Sequence, residues 1–172
     1  VFGRNPNTVF GFKRGKYYLV LITVFGGTIV AFLLCNWAVG TVSQNLIKHL
    51  LGELDLQEPV QAIKESKSLI FTAVSCILAV IVAPVVEELL FRGYLYPALK
   101  KQTSALFAAL VSGAIFAVVH ANLPAFLPLW SLAILLCLSY ELTRTIWAPI
   151  GIHALFNLMN VIMLFQTNEG GS

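Results

Sequence analysis

The residues that could do chemistry in this chain lie in or beside apolar runs. They are Glu87, Glu88 and Arg92 in one run, His120 in a second, and His153 with Asn157 in a third. Ionisable groups at membrane depth are costly and persist mainly where they pair or take part in chemistry. Glu88 and Arg92 stand at i,i+4 with the acid N-terminal, the favoured order for mutual neutralisation on a helix. Glu87 points about 100° away around the same helix and gains no partner from its own segment, so it is the better candidate for a working carboxylate. Phe116 and His120 share a helix face at i,i+4, as do His153 and Asn157. At about 1.5 Å per residue, Glu87, His120, His153 and Asn157 lie roughly 12 to 25 Å in from the cytoplasmic ends of their helices, counted from Lys100, Thr103 and Thr145. Three helices can therefore bring an acid, two imidazoles and an amide to comparable depth, an arrangement that a water-filled active cavity explains better than structure alone.

The elements that position these groups follow from composition. Of 172 residues, 58% are hydrophobic and 11% charged, against about 45–50% apolar and 25% charged in soluble domains. Mean hydropathy is +0.84. These values predict an all-α, polytopic membrane helix bundle. The chain begins at Val1 rather than Met, so further sequence, with further spans, is expected before it. A net charge of +3 with no basic block or aromatic–basic interleaving excludes nucleic acid as a partner. Cys35, Cys76 and Cys137 are odd in number and lie in apolar runs, so they read as buried small hydrophobes rather than a disulfide framework.

About five transmembrane helices are expected. Residues 1–16 form a basic lead-in with Arg4, Lys13, Arg14 and Lys16, and 17–39 a first span that is longer than the apolar core of a signal peptide. Residues 40–67 read as a polar loop with a short interfacial helix at Gln44–Leu51, broken by Gly52 and Pro59. Residues 68–165 form a four-helix core. Its first helix should kink at Pro84 and end at Pro97, and its second should start at Thr103 or Ser104 and run to about Ala121. The last two are expected over about 125–140 and 146–165. Small residues at Ser104, Ala108 and Ser112, and at Ala109, Gly113 and Ala117, would let helices approach closely. Residues 166–172 read as a disordered tail. With the N-terminal end cytoplasmic, 8 of the 11 Lys and Arg residues fall inside, Arg92 among them, as the positive-inside rule favours.

Three patterns in this order resemble the motifs of the CPBP family of intramembrane proteases, which includes the CAAX-processing Rce1-like and bacterial Abi proteins. They are Glu-Glu-x-x-x-Arg at Glu87–Arg92, Phe-x-x-x-His at Phe116–His120 and His-x-x-x-Asn at His153–Asn157. The resemblance covers about residues 68–165, although that family usually has more spans. It implies that Glu87 and His120 activate a water, with Glu87 as general base, while His153 and Asn157 donate to the developing oxyanion. Glu88 and Arg92 would be a supporting ion pair, and Phe116 would pack rather than react. The residues read by themselves agree with hydrolysis by an activated water, since no Gly-x-Ser-x-Gly stretch is present and no Ser or Cys pairs with a nearby His in sequence.

A zinc-dependent version stays open, with Glu87, His120 and His153 as a His₂Glu set; otherwise no cofactor is expected. The implied partners are membrane lipids and a peptide or membrane-protein substrate, prenylated or not. The implied location is an integral membrane protein, in the plasma membrane if the source is bacterial. A proton-coupled transporter is disfavoured because no inverted repeat is visible. A non-catalytic scaffold is disfavoured because all four candidate catalytic residues are present.

Overall fold

A computed structural model describes residues 17–52, 61–63, 66 and 68–169. The basic lead-in, Pro59, all the charged residues of 53–67 and residues 170–172 lie outside the described residues. The described chain is helical, with no strand.

Helix α1 is continuous from Tyr17 through Leu51, made of Tyr17–Phe32, a π-helical stretch Leu33–Val39, and Gly40–Leu51. Residues 40–51 are thus not the beginning of a loop, and Gln44–Leu51 is not a separate interfacial helix. The wide π turn lets the helix pass Gly40, where a Cβ would meet the Cys35 carbonyl oxygen at 2.6 Å. Termination waits for Gly52, whose φ of +84° is one that glycine adopts freely. The extension is held where Ser43 Oγ donates to the Pro124 carbonyl at 2.8 Å.

Helix α2 runs from Leu69 to Lys100 and contains two more π stretches, Leu78–Val82 and Phe91–Leu95. Ser68 caps it by accepting from the Phe71 amide. Pro97 does not end this helix. Each proline follows a π turn in which hydrogen bonds reach five residues back, from Ala83 N–H to Leu78 and from Tyr96 N–H to Phe91. The register shift absorbs the missing proline N–H, which in an unbroken α-helix would break the ladder.

Helix α3, Ala105–Val119, is capped by Ser104. At 15 residues it is about 22 Å long, shorter than the roughly 30 Å of a hydrocarbon core. Helix α4, Phe126–Thr143, continues past the expected end. It closes where Arg144 turns left-handed at φ 55° and its N–H donates to the Tyr140 carbonyl. Helix α5, Trp147–Glu169, extends well beyond 165, so the start of the expected tail is helical.

Among the described residues four helices are long and apolar enough to cross a membrane, and α3 is a shorter apolar helix beside them. Large apolar side chains face outward along them, Leu69, Ile70, Ile77 and Ile81 of α2 among others, as suits helices whose solvent is lipid. The fold is that of an all-α integral membrane bundle.

Helix α4 is its centre. Leu132 and Leu136 pack with Ala31 and Cys35 of α1 and with Ile152 and Phe156 of α5, while Cys137 packs with Tyr96 of α2 and Ala108 and Ala109 of α3. Cys35 and Cys137 are buried as expected, but Cys76 is only half-buried. The small-residue faces of α3 are buried apart from the exposed cap Ser104, and a Cβ at Gly113 would meet the Trp130 ring at 3.0 Å. On α5, a Cβ at Gly151 would come within 2.9 Å and 3.1 Å of both Val24 methyls, and a β-branched side chain has few rotamers with which to yield. Gly151→Leu is therefore expected to destabilise the bundle by about 1–3 kcal/mol, read as a lower melting temperature in detergent.

Candidate active site

The two adjacent acids of α2 go to different surroundings, as their separation around the helix requires. Glu88 is fully buried. Its Oε1 accepts from Arg92 Nη1 at 2.8 Å and from His153 Nδ1 at 3.0 Å. Arg92, equally buried, also donates from Nη2 to the Ala133 carbonyl of α4 at 2.8 Å. The pair does more than steady a helix end: it ties α2 to α4 and α5. Arg92 is accordingly a core residue, and the charge balance that favoured a cytoplasmic N-terminal end is better counted without it.

Glu87 faces the other way, toward both imidazoles. Its Oε2 lies 3.8 Å from His153 Nε2 and 3.9 Å from His120 Nε2. That oxygen is buried and has no hydrogen-bond partner. The far nitrogens fix the tautomers. His120 Nδ1 is 2.7 Å from the Phe116 carbonyl, and a carbonyl can only accept, so Nδ1 carries the hydrogen. Glu88, an acceptor shared with the Arg92 guanidinium, imposes the same on His153 Nδ1. Each ring therefore turns its Nε2 toward Glu87, as a bare acceptor when neutral and as a donor when protonated. The gaps exceed direct hydrogen bonds but are within reach of one bridging oxygen about 2.8 Å from each side. Among the described residues no three His, Cys, Asp or Glu side chains are gathered closely enough to hold a metal ion.

Phe116 stands among the two imidazoles and the ion pair. Buried, it meets His153 edge-on with ring centres 5.7 Å apart, stands 4.6 Å from the His120 ring, and carries the Arg92 guanidinium 5.2 Å above its face. Asn157 is engaged elsewhere, donating from Nδ2 to the Ala79 carbonyl at 2.9 Å. Ala79 lies in the π turn ahead of Pro84, which has no N–H to offer five residues on, so the amide supplies the missing donor. One of the two Asn157 N–H groups is thereby committed to holding α5 against α2.

Glu87 and His120 open onto a groove of about 510 Å³ between α2 and α3, whose other walls are Leu90, Phe91, Leu95, Ile115 and Val119. His153 is nearly enclosed, at 4% side-chain exposure, whereas Glu87 and His120 keep 26% and 27%. The acid and one imidazole are thus reachable from the groove, with the second imidazole behind them.

Residues 69–159 match the family model described as type II CAAX prenyl endopeptidase, Rce1-like. The chain belongs to the Rce1-like family. It is also 38% identical over 90 residues to a Bacillus subtilis (strain 168) protein named "Putative membrane peptidase YdiL", an alignment covering 52% of this chain and 37% of that relative. The chain thus covers little more than a third of that relative's length. No solved structure matches it. The Rce1-like stretch begins where α2 begins and contains every residue of the Glu87–His120–His153 cluster.

Sequence spacing found each of these side chains but not the Glu88–His153 contact or the Ala133 and Ala79 carbonyls, for backbone acceptors leave no mark in sequence. Removing one partner of a buried pair leaves an uncompensated charge. Arg92→Met should accordingly cost about 3–5 kcal/mol of stability, and adding Glu88→Gln to it should recover part of the loss, both read from thermal unfolding in detergent.

Proposed function

We propose that this chain carries the catalytic core of an intramembrane endopeptidase that hydrolyses a peptide bond with an activated water. The observation that supports this reading is the convergence of Glu87 Oε2 with the Nε2 atoms of His120 and His153. In this mechanism Glu87 is the general base, taking a proton from a water that His120 orients from its bare Nε2. The water oxygen attacks the peptide carbonyl carbon, and the proton passes by way of Glu87 to the leaving amine.

His153 serves the oxyanion. Its Nδ1–H is committed to Glu88, so it can donate only from Nε2, and to do so it must be the imidazolium, with Glu88 as counter-ion. A charged donor inside a low-dielectric site stabilises the tetrahedral oxygen far more than it would in water. Asn157, whose amide holds Ala79, has one N–H left for the same oxygen and otherwise acts by fixing α5. Glu88, Arg92 and Phe116 support the rings from behind.

The substrate is a peptide or membrane protein entering from the membrane. The apolar groove beside Glu87 and His120 suits an apolar segment or a prenyl chain next to the scissile bond. The N-terminal end is placed on the cytoplasmic side. This mechanism requires no cofactor.

In a cleavage assay with membrane-peptide substrates, Glu87→Gln and His120→Ala are each expected to lower kcat about 10²- to 10⁴-fold, and His153→Ala about 10²- to 10³-fold. Parent-like cleavage by Glu87→Gln and His153→Ala would refute the site. Activity surviving chelator dialysis is expected; one zinc per chain, lost in His120→Ala, would replace the water mechanism by a His₂Glu zinc one.

A further inference from the structure

A second cavity lies where α2 and α4 end, and it shares no lining residue with the groove at Glu87. It encloses about 340 Å³, with Lys100, Lys101, Arg144, Glu141, Tyr96 and Tyr140 in its walls. Three cations face one carboxylate. That carboxylate is already engaged: Glu141 Oε1 accepts from Tyr96 Oη at 2.9 Å and from Lys100 Nζ, and its Oε2 is 3.3 Å from Arg144 Nη1. Lys101, exposed, makes no ion pair among the described residues. Arg144 is 74% exposed and is directed from a left-handed residue that closes α4. Tyr96 and Tyr140 stack edge to face, 6.2 Å between centres, at a helix end where tyrosine commonly meets the headgroup layer. The cavity therefore offers a surplus of positive charge, free donors and a phenolic wall.

The source of the anion is indicated by where the cavity sits, at the ends of two helices long and apolar enough to cross a membrane. Leu138 and Leu142, one turn apart on α4, are 51% and 60% exposed, so the span that ends at this cavity carries an apolar, lipid-facing surface. A free phosphate has no use for it, whereas a lipid would lay its acyl chains there. Basic pockets between membrane helices take anionic headgroups on these terms. We propose that this cavity binds the phosphate headgroup of an anionic membrane lipid.

The test is lipid retention by native mass spectrometry, using protein released from nanodiscs of mixed phosphatidylcholine and phosphatidylglycerol. One retained phosphatidylglycerol per chain is expected, with each of Lys101→Gln and Arg144→Gln weakening retention about fivefold. Lys101→Gln leaves the Glu141 contacts untouched, so folding is preserved. Lys48→Gln, removing a charge at the far end of α1, should change nothing. The proposal is overturned if phosphatidylcholine is retained equally, if Lys48→Gln matches the pocket variants, or if inorganic phosphate displaces the lipid and binds in its place. Because the readout is a bound lipid rather than cleavage, the result leaves the reading of the Glu87 site where it stands.

Discussion

A carboxylate and a guanidinium that see no water must satisfy each other, and the Glu88–Arg92 pair does this at the centre of the bundle. Burying two charges costs several kcal/mol per ion even after relaxation, so the pair is tolerable only with good geometry and further hydrogen bonds. Those come from outside the helix, from His153 of α5 and the Ala133 carbonyl of α4. The constraint therefore acts at long range. With α2 docked so that Arg92 reaches α4 and Glu88 reaches α5, Glu87 is left facing the imidazoles. The buried acid sets the position of its neighbour.

The docking is not perfectly satisfied, and the imperfections are informative. Glu88 Oε2 and Arg92 Nε lack partners, as does Glu87 Oε2. An unpartnered buried polar atom costs about 1–3 kcal/mol. At Glu87 that cost falls beside the Nε2 atoms of two imidazoles, 3.8 and 3.9 Å away. Strain and unsatisfied polarity of this kind are expected where a fold serves chemistry rather than stability.

Pi turns give α2 its shape. Prolines at 84 and 97 would interrupt an ordinary helix, but each follows a widened turn that shifts the hydrogen-bond register. One of these turns frees the Ala79 carbonyl, which Asn157 then takes up. The irregularity becomes a contact between α2 and α5, the two helices that carry Glu87 and His153. On the remaining side α3 stops at His120, short of a full span, and the chain turns at Ala121 with φ 49°. The groove lies beside this short helix.

Sequence by itself determined the all-α membrane class, because apolar runs of this length have few alternatives in lipid. It also determined which polar residues share a helix face, since an i,i+4 spacing fixes that before any packing is known. Glu88 with Arg92 and Phe116 with His120 were legible in that way. Helix ends were less so: a loop was expected from residue 40 and a helix end at Pro97, yet π turns carry the chain through both, a backbone adjustment that residue type does not encode. Tertiary structure alone decided that Glu88 holds His153, that Asn157 holds Ala79, and that Glu87, His120 and His153 face one another. Those are contacts between helices 30 or more residues apart, set by how the bundle packs rather than by any local pattern.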